Sequence, residues 1–240
     1  MALLFKVDGK EYRLTSQPSE VTLGRFLRFL EEVEQYKPEI VTALEQAETL
    51  EAKAKVAEDY EGDAWTAQMQ YYAEEIAFFS DIPESMLSEL PMPEVKRLHN
   101  ALVHLITEVH NPKDLDRFEC QGVEYYLPEL GMKASTLGEF VQSAQWMHYA
   151  RYHDKNDWSK LPEMIATLCR PKDLLASKKA GKTVLEALPL DEERLDAMVS
   201  ERSEVFREHL TMDVAGYVSF FFRMSTRNWM ADLESSVKAP

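Results

Sequence analysis

Glycine is scarce in this chain, 8 of 240 residues. Phosphate- and dinucleotide-binding enzymes depend on glycine-rich loops, because only glycine lets the backbone approach a ligand closely. No G-x-G-x-x-G, G-x-S-x-G, H-E-x-x-H or C-x-x-C pattern occurs. Cysteine is scarcer still. Cys120 and Cys169 are too few for a disulfide scaffold, and they fit a reducing compartment. Long apolar runs are missing too. The longest, Val214 to Phe222, spans nine residues, against about 20 for a membrane-crossing helix. The opening Met1-Ala-Leu-Leu-Phe5 has neither the basic flank nor the apolar length of a signal peptide. Basic charge is also short: 27 Lys and Arg face 42 Asp and Glu, a net charge of −15. Such a surface repels phosphate backbones, so a nucleic-acid partner is disfavoured.

What remains is globular. Hydrophobic residues make 45% and charged residues 29%, enough apolar matter for one or two packed domains. The negative charge is uneven. Residues 1–116 hold 11 basic and 23 acidic side chains, whereas 117–240 hold 16 and 19. The chain is therefore read as an acidic first module, 1–116, and a second module, 117–240.

The halves also resemble each other. Phe5-Lys-Val-Asp-Gly-Lys-Glu-Tyr-Arg-Leu14 matches Phe118-Glu-Cys-Gln-Gly-Val-Glu-Tyr-Tyr-Leu127 at an offset of 113. Thr22-Leu-Gly-Arg-Phe26 then matches Thr136-Leu-Gly-Glu-Phe140 at 114. Two matches in order point to a tandem duplication. Asp8-Gly9 and Gln121-Gly122 are two-residue turn signals, favoured where both positions need positive φ. The turn at Gly9 pairs Val7 with Lys10 and Phe5 with Tyr12, so Phe5, Val7, Lys10, Tyr12 and Leu14 share a face. Around Gly122 the shared face is Phe118, Cys120, Val123, Tyr125 and Leu127. Leu23, Phe26, Leu27, Leu30 and Val33 form a helical stripe that would cover the first hairpin. Leu137, Phe140, Val141, Ala144 and Met147 would do so for the second. Thr22 and Thr136 occupy the N-cap position, and Glu139 completes a capping box in the second copy.

The rest reads as helical: Lys37–Glu58 as a surface helix, then Ala64–Phe79, Glu94–Val109, Lys160–Cys169, Asp191–His209 and Asp213–Leu233. Fainter matches continue the repeat. Ile76-Ala-Phe-Phe before Pro83 parallels Ile165-Ala-Thr-Leu before Pro171, and Leu90-Pro-Met92 parallels Leu210-Thr-Met212. The expected fold is α+β, mainly α, a duplicated module of one β-hairpin plus helices.

Candidate chemistry is thin. Ala176-Ser-Lys-Lys-Ala-Gly181-Lys182-Thr183 fits a relaxed P-loop, but Arg170-Pro-Lys-Asp-Leu-Leu175 before it is no buried strand. The bland reading is an exposed basic loop, with Lys178, Lys179 and Lys182 free to meet an acidic partner. His99, His104 and His110 are spaced by five and six, whereas one helical face needs three or four. His148 and His153, five apart, could chelate loosely with Asp154 and Asp157, but the two histidines read rather as ending a helix, where cationic side chains suit the dipole. Cys120 reads as core, and neither thiol has a histidine beside it in sequence. Glu31-Glu32, Glu74-Glu75 and Glu192-Glu193 read as solvated faces. Tyr71-Tyr72 and Phe78-Phe79 read as core doublets. Phe221, Phe222 and Trp229, on an apolar last helix, are interface candidates beside a core role; Trp65, Trp146 and Trp158 lie outside the apolar runs. No catalytic residue, metal or cofactor is assigned.

Taken together, several segments form a pattern: F-x-x-x-G-x-x-Y, T-L-G-x-F, Leu161-Pro162 with Ile165-Ala166 and Leu168-Cys-Arg-Pro171, then Asp191-Glu-Glu-Arg194 with Glu201-Arg202 and Phe206. It closes with Leu210, Met212-Asp-Val-Ala215 and Phe220–Phe222. The pattern resembles small morphogenesis proteins of tailed bacteriophages, tail-assembly-chaperone-like proteins and virion proteins of Bacteroidota phages. The resemblance covers 117–233 best and 1–110 as a diverged copy. It implies a non-catalytic assembly or virion structural protein: a tail-assembly chaperone or a head–tail or tail connector component. The implied partners are other virion or tail-assembly proteins, or further copies of the chain. The implied location is the host cytoplasm during assembly, or the virion. The competing readings are a nucleotide-binding enzyme using the 176–183 loop and a host-directed regulator or inhibitor.

Overall fold

Phe5 stands opposite Tyr12 and Val7 opposite Lys10 across an antiparallel hairpin of β1 (Leu3–Val7) and β2 (Lys10–Leu14). This is the register that a two-residue turn dictates. The computed structural model describes residues 3–7, 9–15, 17–60, 64–108, 115–127, 158–171 and 192–221. The helix expected around Leu137 and Phe140, the loop 176–183 with Lys178, Lys179 and Lys182, and Phe222 and Trp229 lie outside them.

The architecture is α+β and mainly helical. The chain forms two compact units, Met1–Val21 with Arg28–Thr107, and Thr22–Leu27 with Glu108–Pro240. In the first, Phe5, Val7 and Leu14 are buried while Lys10 at the turn is exposed. Gly9 supplies the positive φ, +78°. The hairpin is extended by the chain that follows α4 (Ala64–Phe79): the Thr15 amide donates to the Phe79 carbonyl at 2.9 Å, and the Asp81 amide to the Arg13 carbonyl at 3.2 Å. Tyr12 donates its hydroxyl to Met86 Sδ at 2.9 Å. These bonds occupy the outer edge of β2, which would otherwise present unpaired backbone groups.

The helix expected over Lys37–Glu58 is broken. α2 (Glu39–Gln46) and α3 (Leu50–Asp59) flank Ala47 to Thr49, and Thr49 caps α3 by accepting the Ala52 amide at 3.1 Å. α2 is not a surface helix, for Ile40, Val41 and Leu44 are buried. After α4, a short α5 (Glu84–Leu87) fills the proline-rich turn, and α6 (Met92–Glu108) closes the unit.

In the second unit, β3 (Arg117–Cys120) pairs with β4 (Val123–Tyr126) in the same hairpin register, with Gln121 and Gly122 both at positive φ. β4 then pairs with β5 (Arg170–Pro171), directly after α7 (Leu161–Leu168). The apolar side of this hairpin packs on Phe206 of α8 (Glu192–His209), whose ring lies 4.8 Å from Tyr125 and 5.8 Å from Phe118. Phe206, fully buried, is a cover that the sequence reading did not assign to the hairpin. α7 packs along α8, and helical backbone resumes over 212–221.

α1 (Leu23–Glu32) begins as expected, with Thr22 Oγ1 accepting the Arg25 amide at 3.3 Å. Its buried stripe differs from the expectation in two ways: Phe29 is 1% exposed and Leu30 only half-buried, and Leu23, Phe26 and Leu27 belong to the second unit rather than to that of the first hairpin. Phe29 belongs to the first unit and packs against the rings of Phe78 and Phe79, at 5.6 and 4.9 Å. The first turn belongs to the second unit. The Leu23 amide donates to the Leu210 carbonyl at 2.7 Å, Thr22 forms a bridge with Thr211, and Phe26 meets Trp158 edge-on at 5.9 Å. At Gly24 a Cβ would stand 2.6 Å from the Arg207 carbonyl oxygen. The glycine of the T-L-G-x-F motif is thus a packing requirement, where helix backbone meets helix backbone.

Candidate functional site

Two features of the first unit carry polar or exposed chemistry. One is an ionisable cluster, buried at Tyr71, Glu75 and His99 and open to water at Glu45. Glu34 and Lys37 follow α1, Glu45 lies on α2, Tyr71, Tyr72 and Glu75 on α4, and His99 on α6. Tyr71 donates its hydroxyl to Glu34 Oε2. Lys37 Nζ sits 2.8 Å from Glu45 Oε2, 3.5 Å from Glu34 Oε1 and 5.0 Å from the centre of the Tyr71 ring. His99 Nε2 lies 2.9 Å from Glu75 Oε2, with both side chains nearly closed to water. That contact is short but not aligned as a hydrogen bond, so Glu75 Oε2 is buried with no hydrogen-bond donor. The Tyr72 ring stacks on His99 at 3.5 Å and 13°.

This corrects the reading of Glu74-Glu75 as a solvated pair. Glu74 is exposed, but Glu75, one position on, is 5% exposed and faces His99. The missing signal was the partner. A histidine 24 positions downstream can be matched to Glu75 only once α4 and α6 pack.

The cluster controls ionisation. Burial pushes the Tyr71 phenol far up, and the charges of Glu75 and Glu34 push it further. Tyr72 is pushed up to about 12, first by burial and then by Glu45 and Glu75. For Lys37 burial opposes the charge, but the bond to Glu45 and the fields of Glu34, Glu45 and Glu75 outweigh it and raise the ammonium. A prediction follows for alkaline solution. Both phenols are neutral when folded, whereas in the unfolded chain they ionise near the ordinary value of 10.0. Their contribution is whole below pH 10 and drains as pH rises toward about 12. The phenolate absorbance difference between wild type and Tyr71→Phe/Tyr72→Phe should therefore develop together with loss of helical circular dichroism. Ionisation of this pair near pH 10 with the helices intact would refute it.

The second feature is an open groove of about 650 Å³. α4 supplies Trp65, Thr66, Met69, Gln70, Ala73 and Glu74, one wall at helical spacing. Glu84, Leu87, Ser88 and Leu90 come from α5 and the turn after it, and Met92 and Val95 from α6. Trp65 is 40% and Met92 50% exposed. Lys96 Nζ rests 5.7 Å from the Trp65 ring centre. The groove shares no lining residue with the ionisable cluster, so a molecule in it would not reach the His99–Glu75 pair. Its size falls in the range of binding clefts.

Other sequence candidates sit elsewhere. Phe5, Gly9, Tyr12, Leu23, Phe26, Phe118, Gly122 and Tyr125 occupy hairpin turns, the first turn of α1 and buried or half-buried faces. Phe221 is half-buried, its ring 6.5 Å from that of Tyr217. Cys120 and Cys169 are buried, and burial pushes both thiols up, away from the reactive thiolate. Among the described residues no three His, Cys, Asp or Glu side chains converge as a metal site, and no helix is long and apolar enough to cross a membrane. The groove was only partly legible: Trp65 stood outside the apolar runs, but its α5 and α6 neighbours depend on the fold. The chain matches no protein-family model, no curated protein and no solved structure.

Proposed function

We propose that this is a non-catalytic assembly protein of tailed-phage morphogenesis, working through protein–protein contacts as a tail-assembly chaperone or connector component. The observation that carries the contact reading is the open groove between α4 and α6, flanked by exposed Trp65 and Met92. A tryptophan and a methionine left half in water beside an apolar cleft are what an interface leaves uncovered when its partner is absent. The phage setting rests on the sequence pattern from F-x-x-x-G-x-x-Y to Met212-Asp-Val-Ala215.

The tandem duplication belongs to the same proposal. Both hairpins have one register, and in both the second strand pairs antiparallel with the residues that follow a helix: Ser80 after α4, and Arg170–Pro171 after α7. A duplicated module suits a protein that handles repeated virion subunits, in the host cytoplasm during assembly or in the particle.

The test is genetic. Removing the gene from the producing phage should sharply lower the yield of assembled particles. Wild type supplied in trans should restore it; Met92→Glu, at an exposed position and expressed at the same level, should not. Undiminished particle yield without the gene would refute the assembly role, and full rescue by Met92→Glu would remove the groove from it.

A further inference from the structure

The groove's chemistry narrows its occupant, and this step rests on the contact reading above. Its apolar residues would take an apolar stripe. Its charged lining residues, Glu74 and Glu84, are both acidic. The bias extends beyond the lining: residues 64–97, which build α4, α5 and the start of α6, hold six acidic side chains against Lys96 and Arg97, with Lys96 over the Trp65 ring. Of these, Glu94 is engaged by Arg97 Nη2 at 2.5 Å and Glu75 by His99 Nε2 at 2.9 Å. The α4 wall runs from Trp65 to Glu74, about 14 Å at 1.5 Å per residue, which suits two to three turns of a helix lying in the cleft.

We propose that the groove binds a basic amphipathic helix of a partner protein. Apolar residues at i, i+4 and i+7 would sit against Trp65, Met69 and Val95, and flanking Lys or Arg would meet Glu74 and Glu84. Charge complementarity decides between helices of equal apolarity. An acidic helix would bring like charges together over a surface with no cation among its lining residues.

The experiment uses the full chain and two labelled probes, a Leu/Lys helical peptide of about 14 residues and a Leu/Glu peptide with the same leucine stripe, followed by fluorescence anisotropy. The Leu/Lys peptide should bind saturably and the Leu/Glu peptide should not. Glu74→Lys/Glu84→Lys should weaken Leu/Lys binding by about tenfold or more and admit the Leu/Glu peptide. Met92→Glu should weaken the apolar contact by about tenfold. Glu51→Lys/Glu58→Lys, on exposed positions of α3, changes net charge equally and should matter less than about twofold. Circular dichroism checks that each variant is folded. Equal weakening by the α3 reversal would overturn the proposal, because bulk charge would then explain the binding. Binding of both peptides to wild type, lost in Met92→Glu, would overturn the basic occupant while leaving the groove as a contact surface. Binding of neither would also overturn it, and the particle-yield test would then judge the contact reading by itself.

Discussion

Replacing His99 by leucine should destabilise the protein by about 1–3 kcal/mol, the usual cost of leaving a buried polar group without its partner. The reason is the state in which Glu75 is left. Its side chain is 6% exposed, His99 Nε2 is 2.9 Å away, and Oε2 has no hydrogen-bond donor to fall back on. The Tyr72 ring also loses its stacking partner, worth about 0.5–1.5 kcal/mol. The pair itself need not be a net stabiliser, because burying two polar groups costs about what their contact returns. That gives a sharp second arm. Glu75→Leu/His99→Leu, which removes both polar partners, should regain most of what His99→Leu loses. Urea unfolding midpoints of the three proteins decide the matter. A single variant within about 1 kcal/mol of wild type, as for a surface pair, or a double variant no better than the single, would show that Glu75 does not depend on His99.

The second large effect is expected at Gly24. Alanine is about 1 kcal/mol better than glycine inside a helix, so an exposed Gly→Ala change would stabilise. Here the added Cβ meets the Arg207 carbonyl oxygen at 2.6 Å. That oxygen is backbone of α8 and cannot rotate aside. Overpacking of this kind costs about 1–3 kcal/mol, sometimes more, and should outweigh the helix gain. Gly9 is the internal control: it has positive φ and no atom within 4 Å of its missing Cβ. Asparagine tolerates that backbone region better than most residues, so Gly9→Asn should cost only modest backbone strain, about 1 kcal/mol. Gly24→Asn should be worse than Gly24→Ala. Thermal midpoints that rank the two sites in the opposite order would refute the packing explanation.

These sites mark how far the sequence could be read. Hairpin registers were legible because a two-residue turn with glycine fixes which residues face each other, and the alternation of Phe5, Val7 and Leu14 names the buried face. Helix ends were legible where a cap stood, as at Thr22, whereas the helix expected from Glu94 starts two residues earlier, at Met92. Lys37–Glu58 was misread because Thr49 offers its hydroxyl to a new helix start, and the composition around it gave no sign of a break. Phe29 displaced Leu30 because α1 is buried on more than one side. The ionisable cluster was illegible for a deeper reason. Glu34, Glu45, Glu75 and His99 look like any solvated residues until four separate segments place them together.

The first turn of α1 also sets a schedule for synthesis. The Leu23 amide donates its hydrogen bond to a carbonyl made 187 residues later, at Leu210. At about 5–20 residues per second, the ribosome leaves Leu23, Gly24 and Phe26 without that partner for roughly 10–40 s. During that interval an apolar helix end is available to whatever else is nearby, including the same end of another nascent chain. Slow translation or crowding of polysomes should therefore raise the yield of intertwined chains, a hazard peculiar to a fold whose early helix is finished by its late one.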